Sequence, residues 1–199
     1  MKHTKLALMS LFVAFTLTSF GQKIIKLEGD LGFLASESSI NLEYDYSDMG
    51  VGDFKSEEEY IKKKQDEYNK KEAGRGDKWL ESWNGSRARV YQPKFEELFN
   101  KYSKLTATEN MPNAKYTLVV KTTFTEPGWN IGISSRPAGV SFEYIFIETG
   151  SDKIVARFAQ KMVPGAQAMG MDYDTSTRIS ESYAKAGKMF GGFVAKSKK

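Results

Sequence analysis

Apolar residues recur along this chain with two different periods. Between Lys115 and Val163 the period is two, the signature of strands. Lys115–Thr125 puts Tyr116, Leu118, Val120 and Phe124 on one face. Val140–Thr149 aligns Val140, Phe142, Tyr144 and Phe146, with Ile145 and Ile147 opposite. A strand that is apolar on both faces is predicted to lie inside a sheet. Lys153–Met162 turns Ile154, Ala156, Phe158 and Met162 inward and Lys153, Arg157 and Lys161 outward. That charged face suits an exposed side or an edge. The turn at Gly150-Ser-Asp152 makes the last two strands a hairpin. Earlier in the chain, Lys23–Leu31 reads as a strand through Ile24, Ile25 and Leu27. In Ser38–Ser47, Ile40, Leu42, Tyr44 and Tyr46 alternate with Asn41, Glu43 and Asp45. Asp48–Asp53, rich in Gly and Asp, reads as a loop.

The helical period governs the rest. Ser56-Glu-Glu-Glu59 is a capping box, opening a helix to about Glu72. The apolar face of this helix is thin (Tyr60, Ile61 and Tyr68), which predicts a surface or projecting element. Ala73–Asp77 should break it. Asp77–Trp83 follows as a short helical segment with Trp79, Leu80 and Trp83 on one side, stopped at Asn84-Gly85. Pro93 opens a third helix carrying Phe95, Leu98, Phe99, Tyr102 and Leu105. Glu96 and Glu97 near its start, and Lys101 and Lys104 near its end, complement the macrodipole. Thr106–Ala114 reads as a polar connector, and Pro164–Asp172 as a loop. Asp174 or Thr175 caps a last helix with Ile179, Tyr183, Ala186, Phe190 and Phe193 in one stripe. Gly187, Gly191 and Ala195 run beside it, four apart. A glycine inside a helix costs about 1 kcal/mol, so these predict a close approach of the helix to the sheet. The order β-β-α-α-α-β-β-β-α predicts an α+β fold, with helices packed on a mainly antiparallel sheet of about five strands.

Composition adds a compartment. Lys2 and Lys5 precede an apolar run from Leu6 to Phe20, and Ser19 and Gly21 are small residues before Gln22. This predicts a signal peptide over 1–21, a single domain over 22–195 and a frayed basic tail over 196–199. The protein is then exported, to the periplasm or beyond. Its formal charge of +4 falls by two on removal of Lys2 and Lys5, which gives no bias toward nucleic acid. The chain has no cysteine, and its one histidine, His3, leaves with the signal. Ser-His-Asp and Cys-His catalysis and His-ligated zinc are thereby excluded from the mature chain, and no cofactor is implied.

The connector Glu126–Gly139 is the strongest candidate site. It is long for a hairpin and holds Trp129, Asn130 and Arg136 between Pro127 and Pro137. Trp and Arg are the usual anchors of binding sites. The competing reading makes Ile131 and Ile133 extensions of the strands and Trp129 a cap on the core. Trp79 and Trp83 could stack on a sugar, although helical spacing is first of all a packing signal. Glu43, Asp45, Asp48 and Asp53 cluster in sequence, as do Asp172 and Asp174, without the spacing of a calcium loop. Glu126, Glu143 and Glu148 supply carboxylates for a hydrolase, but nothing in the sequence pairs them. Gly50-Val-Gly52 is not a phosphate loop, Arg75-Gly-Asp77 reads as a linker, and Arg87, Arg89 and Lys94 form a small basic patch.

The segment Tyr116–Ala138, with Pro164-Gly165, Ala168–Asp174 and Ala184-Lys-Ala-Gly187, resembles uncharacterised exported proteins of Bacteroidota. The end of the signal, Ser-Phe-Gly-Gln, is similar to that group as well. The resemblance covers mainly residues 115–195 and implies no activity and no catalytic residue. More loosely, the element order resembles small envelope accessory domains of bacterial lipoproteins, whose lipidated Cys is missing here. The sequence thus favours a non-catalytic envelope binding module contacting a protein or glycan through Trp129, Asn130 and Arg136. The alternative is a carboxylate-dependent hydrolase of envelope polysaccharide or peptidoglycan.

Overall fold

A computed structural model describes residues 23–130, 133–151, 153–165 and 175–198, with Asn130 described by its backbone. The signal segment, Ala168–Asp174 and Ile131 lie outside the described residues. The fold is α+β, with a larger and more mixed sheet than the alternation predicts. The described residues form nine strands: β1 Ile24–Glu28, β2 Ser39–Asp45, β3 Gly50–Val51, β4 Thr106–Thr108, β5 Tyr116–Glu126, β6 Trp129–Asn130, β7 Ser135–Arg136, β8 Gly139–Glu148 and β9 Ile154–Pro164. The helices are α1 Glu57–Lys71, α2 Arg75–Ser86, α3 Gln92–Ser103 and α4 Thr175–Ser197. Seven strands form the main sheet in the order β1-β9-β8-β5-β2-β4, with β3 also on β5. The β1, β9, β8 and β5 neighbours are antiparallel, whereas β2 pairs with β4 and β5, and β3 with β5, in parallel. Helices α1 to α3 return the chain to the end where β2 began, so the next strands run the same way as β2. A period of two reveals a strand but not its direction, which is why the parallel half was not foreseen.

Two segments read as connectors carry short strands. Gly50–Val51 lies on β5, in line beyond β2, and Met49 and Val51 are buried there. Thr106–Thr108 adds to β2, with Ala107 fully buried. The side-chain amide of Asn100 on α3 receives the Ala107 N–H and donates to the Ala107 carbonyl, both at 2.8 Å, much as a neighbouring strand would. The strand Lys153–Met162 is not an edge, because β1 covers β9.

The helical predictions hold at the start of α1, where the Glu59 N–H donates to Ser56 Oγ at 3.4 Å. The later breaks do not fall where expected. Arg75-Gly-Asp77 is the first turn of α2, not a linker. A Cβ on Gly76 would sit 2.2 Å from the Gln65 carbonyl oxygen, so glycine is what lets α2 close onto α1. Asn84-Gly85 does not stop α2, which runs through a π-helical segment, Arg87–Tyr91, directly into α3. Trp83 and Arg87 bracket Gly85, and both donate to the Glu57 carboxylate on α1. Two such ties outweigh the cost of about 1 kcal/mol for a helical glycine. Likewise, α4 continues through Ser197 into the tail expected to fray.

The core lies between the sheet and the α3–α4 pair. Tyr144 of β8 stacks on Phe190 of α4 at 3.7 Å between ring centres, and Phe99 and Phe158 also touch Phe190. Gly187 and Gly191 serve a different neighbour from the one predicted. A Cβ at these positions would lie 2.3 Å from the Phe95 carbonyl oxygen and 2.7 Å from that of Phe99. The glycine stripe therefore brings α4 against α3, not against the sheet. Among the described residues, the opposite face of the sheet carries no helix.

Candidate binding site

Beyond the core, β5 and β8 extend toward the connector Glu126–Gly139. Both prolines of this connector interrupt regular pairing, since proline has no backbone N–H to give a ladder. Gly128 has φ +69°, and a Cβ there would lie 2.7 Å from both the Ala138 nitrogen and the Arg136 oxygen. The turn therefore requires glycine. Past it the chain forms a two-stranded ribbon, pairing Trp129 with Arg136 and Asn130 with Ser135.

Two buried ionic groups hold the base of the ribbon. The Glu126 carboxylate, 8% exposed, accepts from the Gly128 N–H and from Arg136 Nη1, each at 3.0 Å. Arg178 of α4, 3% exposed, donates from Nε to the Pro127 carbonyl at 3.3 Å and from Nη2 to Thr175 Oγ1 at 3.2 Å. Charge-assisted bonds of this kind are stronger than neutral ones and define an orientation.

Two described side chains of the hairpin stand exposed. Trp129 is 40% exposed and Ile133 95% exposed, so Ile133 adds nothing to the core. Arg136 pairs with Glu126 yet keeps about half of its side chain exposed. Of the three predicted contact residues, Trp129 and Arg136 are thus placed side by side on one ribbon, and the side chain of Asn130 lies outside the described residues. Trp129 borders a cleft of about 220 Å³ toward α1, lined by Phe54, Tyr60, Lys63 and Lys64. A second cleft, of about 540 Å³ with a mostly apolar lining, is bordered by Arg136 and shares Gly52 and Glu126 with the first.

The remaining candidates resolve into structure. Trp83 is buried, and Trp79 stacks on it at 5.7 Å, beside Tyr60. A cavity of about 110 Å³ opens next to them, with Ser82, Ser86 and Thr175 in its wall. Asp45 and Asp48 both contact Lys121 Nζ at 3.3 Å. Burial pushes the Asp45 carboxyl up, but hydrogen bonds from Ser47 and Lys121 outweigh it and hold the group below its ordinary value. Glu126, Glu143 and Glu148 are each paired with a base, respectively Arg136, Arg157 and Lys153. Arg87 pairs with Glu57 and lies over the Tyr46 ring, while Lys94 faces Glu97. Among the described residues, no group of three or more acidic, His or Cys side chains could hold a metal, and no helix is long and apolar enough to cross a membrane. Asp172 and Asp174 lie outside the described residues. Arg178 went unnoticed in the sequence because it sits in a polar run ahead of the Ile179 stripe, where an arginine reads as solvated surface.

No family model and no curated protein matches the chain. Among solved structures, it is similar to the PelC dodecamer from Paraburkholderia phytofirmans, at 10% identity and a TM-score of 0.39, over 81% of this chain and 95% of that one. A leucine-to-methionine variant of the same dodecamer gives 9% identity and a TM-score of 0.38, over the same shares. A Xanthomonas campestris protein of family DUF330 gives 13% identity and a TM-score of 0.33, over 52% of this chain and 57% of that one.

Proposed function

We propose that this protein is an exported, non-catalytic module of the cell envelope that holds a partner through the β6–β7 ribbon. One observation carries the reading. A tryptophan and an isoleucine stand exposed on a ribbon whose base is fixed by buried charged groups. Exposed apolar side chains on a preorganised element lose little freedom on binding, and Trp and Arg dominate binding hot spots. Export rests on the N-terminal charge and apolar pattern, and membership of the exported Bacteroidota group on the resemblance over residues 115–195. The partner is an envelope protein or a glycan; an indole face packs on either an apolar side chain or a sugar ring.

In-cell photo-crosslinking tests this. A photoreactive residue replacing Ile133 is expected to give a discrete adduct, and the same residue replacing Lys62 on α1 is not. Trp129→Ala is expected to abolish the adduct while leaving the unfolding transition in place. Equal adducts from both positions, or an unfolded Trp129→Ala protein, would overturn the proposal.

A further inference from the structure

The larger cleft is built by two departures from regular pairing, and each turns an apolar side chain out of the core. On β5 the register slips between Thr122 and Phe124. On β9 two residues, Lys161 and Met162, fill the space opposite the single residue Ser141. As a result Thr125, Val140 and Val163 still face the helices and are buried. Phe124 and Met162 instead point to the face without helices. They flank Ser141, whose Oγ accepts the Met162 N–H at 3.0 Å. The next row on that face is Glu126, Gly139 and Pro164. Gly139 sits at the centre of the pattern, and its lack of a side chain lets the end of Met162 lie over it, 2.9 Å from where a Cβ would stand. Met162 takes part at a cost, because its φ of +49° is left-handed backbone that a methionine rarely adopts. It is nevertheless 47% exposed, so burial does not offset that strain. Strain retained without burial is a mark of function.

The chemistry of the lining is asymmetric. Phe124, Pro137, Ala138, Met162 and Pro164 supply an apolar floor and walls. The polar end is the Glu126–Arg136 pair. Glu126 is satisfied by Gly128 and Arg136, while Arg136 gives it Nη1 and keeps a half-exposed guanidinium with further N–H donors. An open cation at the end of an apolar trough fits one kind of small molecule. We infer that this cleft binds a straight-chain aliphatic carboxylate, the chain lying between Phe124 and Met162 and the carboxylate on Arg136. The volume of about 540 Å³ is in the range of small-molecule sites. The site lies beside the ribbon's exposed Trp129 and Ile133 and shares the Glu126–Arg136 pair with the partner-binding reading.

Calorimetric titration of the purified full-length mature protein with octanoate, decanoate and decanol, all below their micelle concentrations, tests the inference. Affinity is expected to rise about fourfold per methylene from octanoate to decanoate, the effect of burying each CH₂. Decanol is expected to bind at least about tenfold more weakly than decanoate, since it cannot form a charged bond to Arg136. Arg136→Gln should erase that discrimination. Gly139→Val pushes the flexible end of Met162 out into the cleft from an ordinary strand position, and should abolish binding with the thermal unfolding curve preserved. Should Gly139→Val not fold, Phe124→Ala provides the second reading, with an expected loss of about tenfold or more in decanoate affinity. Decanol binding as tightly as decanoate, no dependence on chain length, or full affinity in the folded cleft variants would overturn the inference. Trp129→Ala should leave decanoate binding unchanged, so failure of the partner reading and failure of this one are separable.

Discussion

Strands β5 and β8 run side by side for ten residue pairs, and their two ends are built on different terms. At the end near Tyr116 and Glu148 the register is unbroken. Leu118 faces Phe146 and Val120 faces Tyr144, all four are buried, and Phe190 of α4 closes over the aromatic rings. At the end near Glu126 and Gly139 the ladder slips, a glycine replaces a side chain, and Phe124 and Met162 are turned away from the helices. The first end uses the strand's alternation to fill a core. The second uses interruptions of the same alternation to make a concave surface. Core packing and concave surface are thus divided along one pair of strands, and changes at the two ends should have effects of different size and kind.

The largest effects belong to the packed end. Phe190→Ala is expected to cost about 3–5 kcal/mol in urea unfolding, as for other buried aromatic truncations. Gly187→Ala should also destabilise strongly, because its methyl group meets backbone of α3 and not a movable side chain. A loss below about 1 kcal/mol in both would show that the α3–α4 seam is not the keystone of the fold.

Alkaline pH attacks the same end. Burial pushes the Tyr144 and Tyr183 hydroxyls well above their ordinary value. Tyr144 donates to Gln160 Oε1 at 2.8 Å, and Tyr183 shares a 2.6 Å hydrogen bond with Thr122. A raised tyrosine value means that the folded state holds its proton more tightly than the unfolded chain. The stabilisation is complete below the unfolded value of about 10 and is lost as pH rises above it, at about 1.4 kcal/mol per pH unit for each of the two. Tyrosinate absorbance should therefore appear together with loss of structure. Ionisation of both rings in a folded protein would contradict the burial assigned here.

The bulged end should respond weakly, and partly in the opposite direction. Met162→Asn places a residue that tolerates left-handed backbone at a strained and half-exposed position, and is expected to raise stability by about 0.5–1 kcal/mol. A loss of stability would assign Met162 a packing role. Smallest of all, Trp129→Ala should change unfolding free energy by no more than about 0.5 kcal/mol, as at other open sites. Its consequence should be confined to binding.

The same division explains what could be read in the sequence. Where a strand follows its own alternation, the pattern marks apolar residues of the core, such as Ile40 and Leu42 in β2 and Ala156 and Phe158 in β9, although Asn41, on the side read as wet, is also buried. Ile154 and Met162, which the same rule predicts to face inward, are exposed. Met162 lies within one register slip on β9 and Ile154 is separated from Ala156 by another, and each slip breaks the alternation between the two sides. Nothing in a single sequence marks a bulge at a methionine. The ribbon residues Trp129 and Arg136 were legible because their types and the flanking prolines are unusual in a hairpin. The Phe124–Gly139–Met162 hollow was not, because it depends on pairing between three strands distant in sequence. Strands β3 and β4 escaped for a simpler reason: two and three residues are too few to show a period.

The side-chain amide of Asn100 has a consequence for how this sheet ends. A free strand edge invites other chains to add to it, which is the starting point of fibrillar aggregation. Here the last strand on one side is three residues long, and Asn100 occupies the outward N–H and C=O of its middle residue, Ala107. At the other side β1 is five residues long and its register slips between Lys26 and Glu28. One edge is plugged and the other is bent, so among the described residues a sheet that leaves one broad face open still offers no long, straight border for a further strand to join.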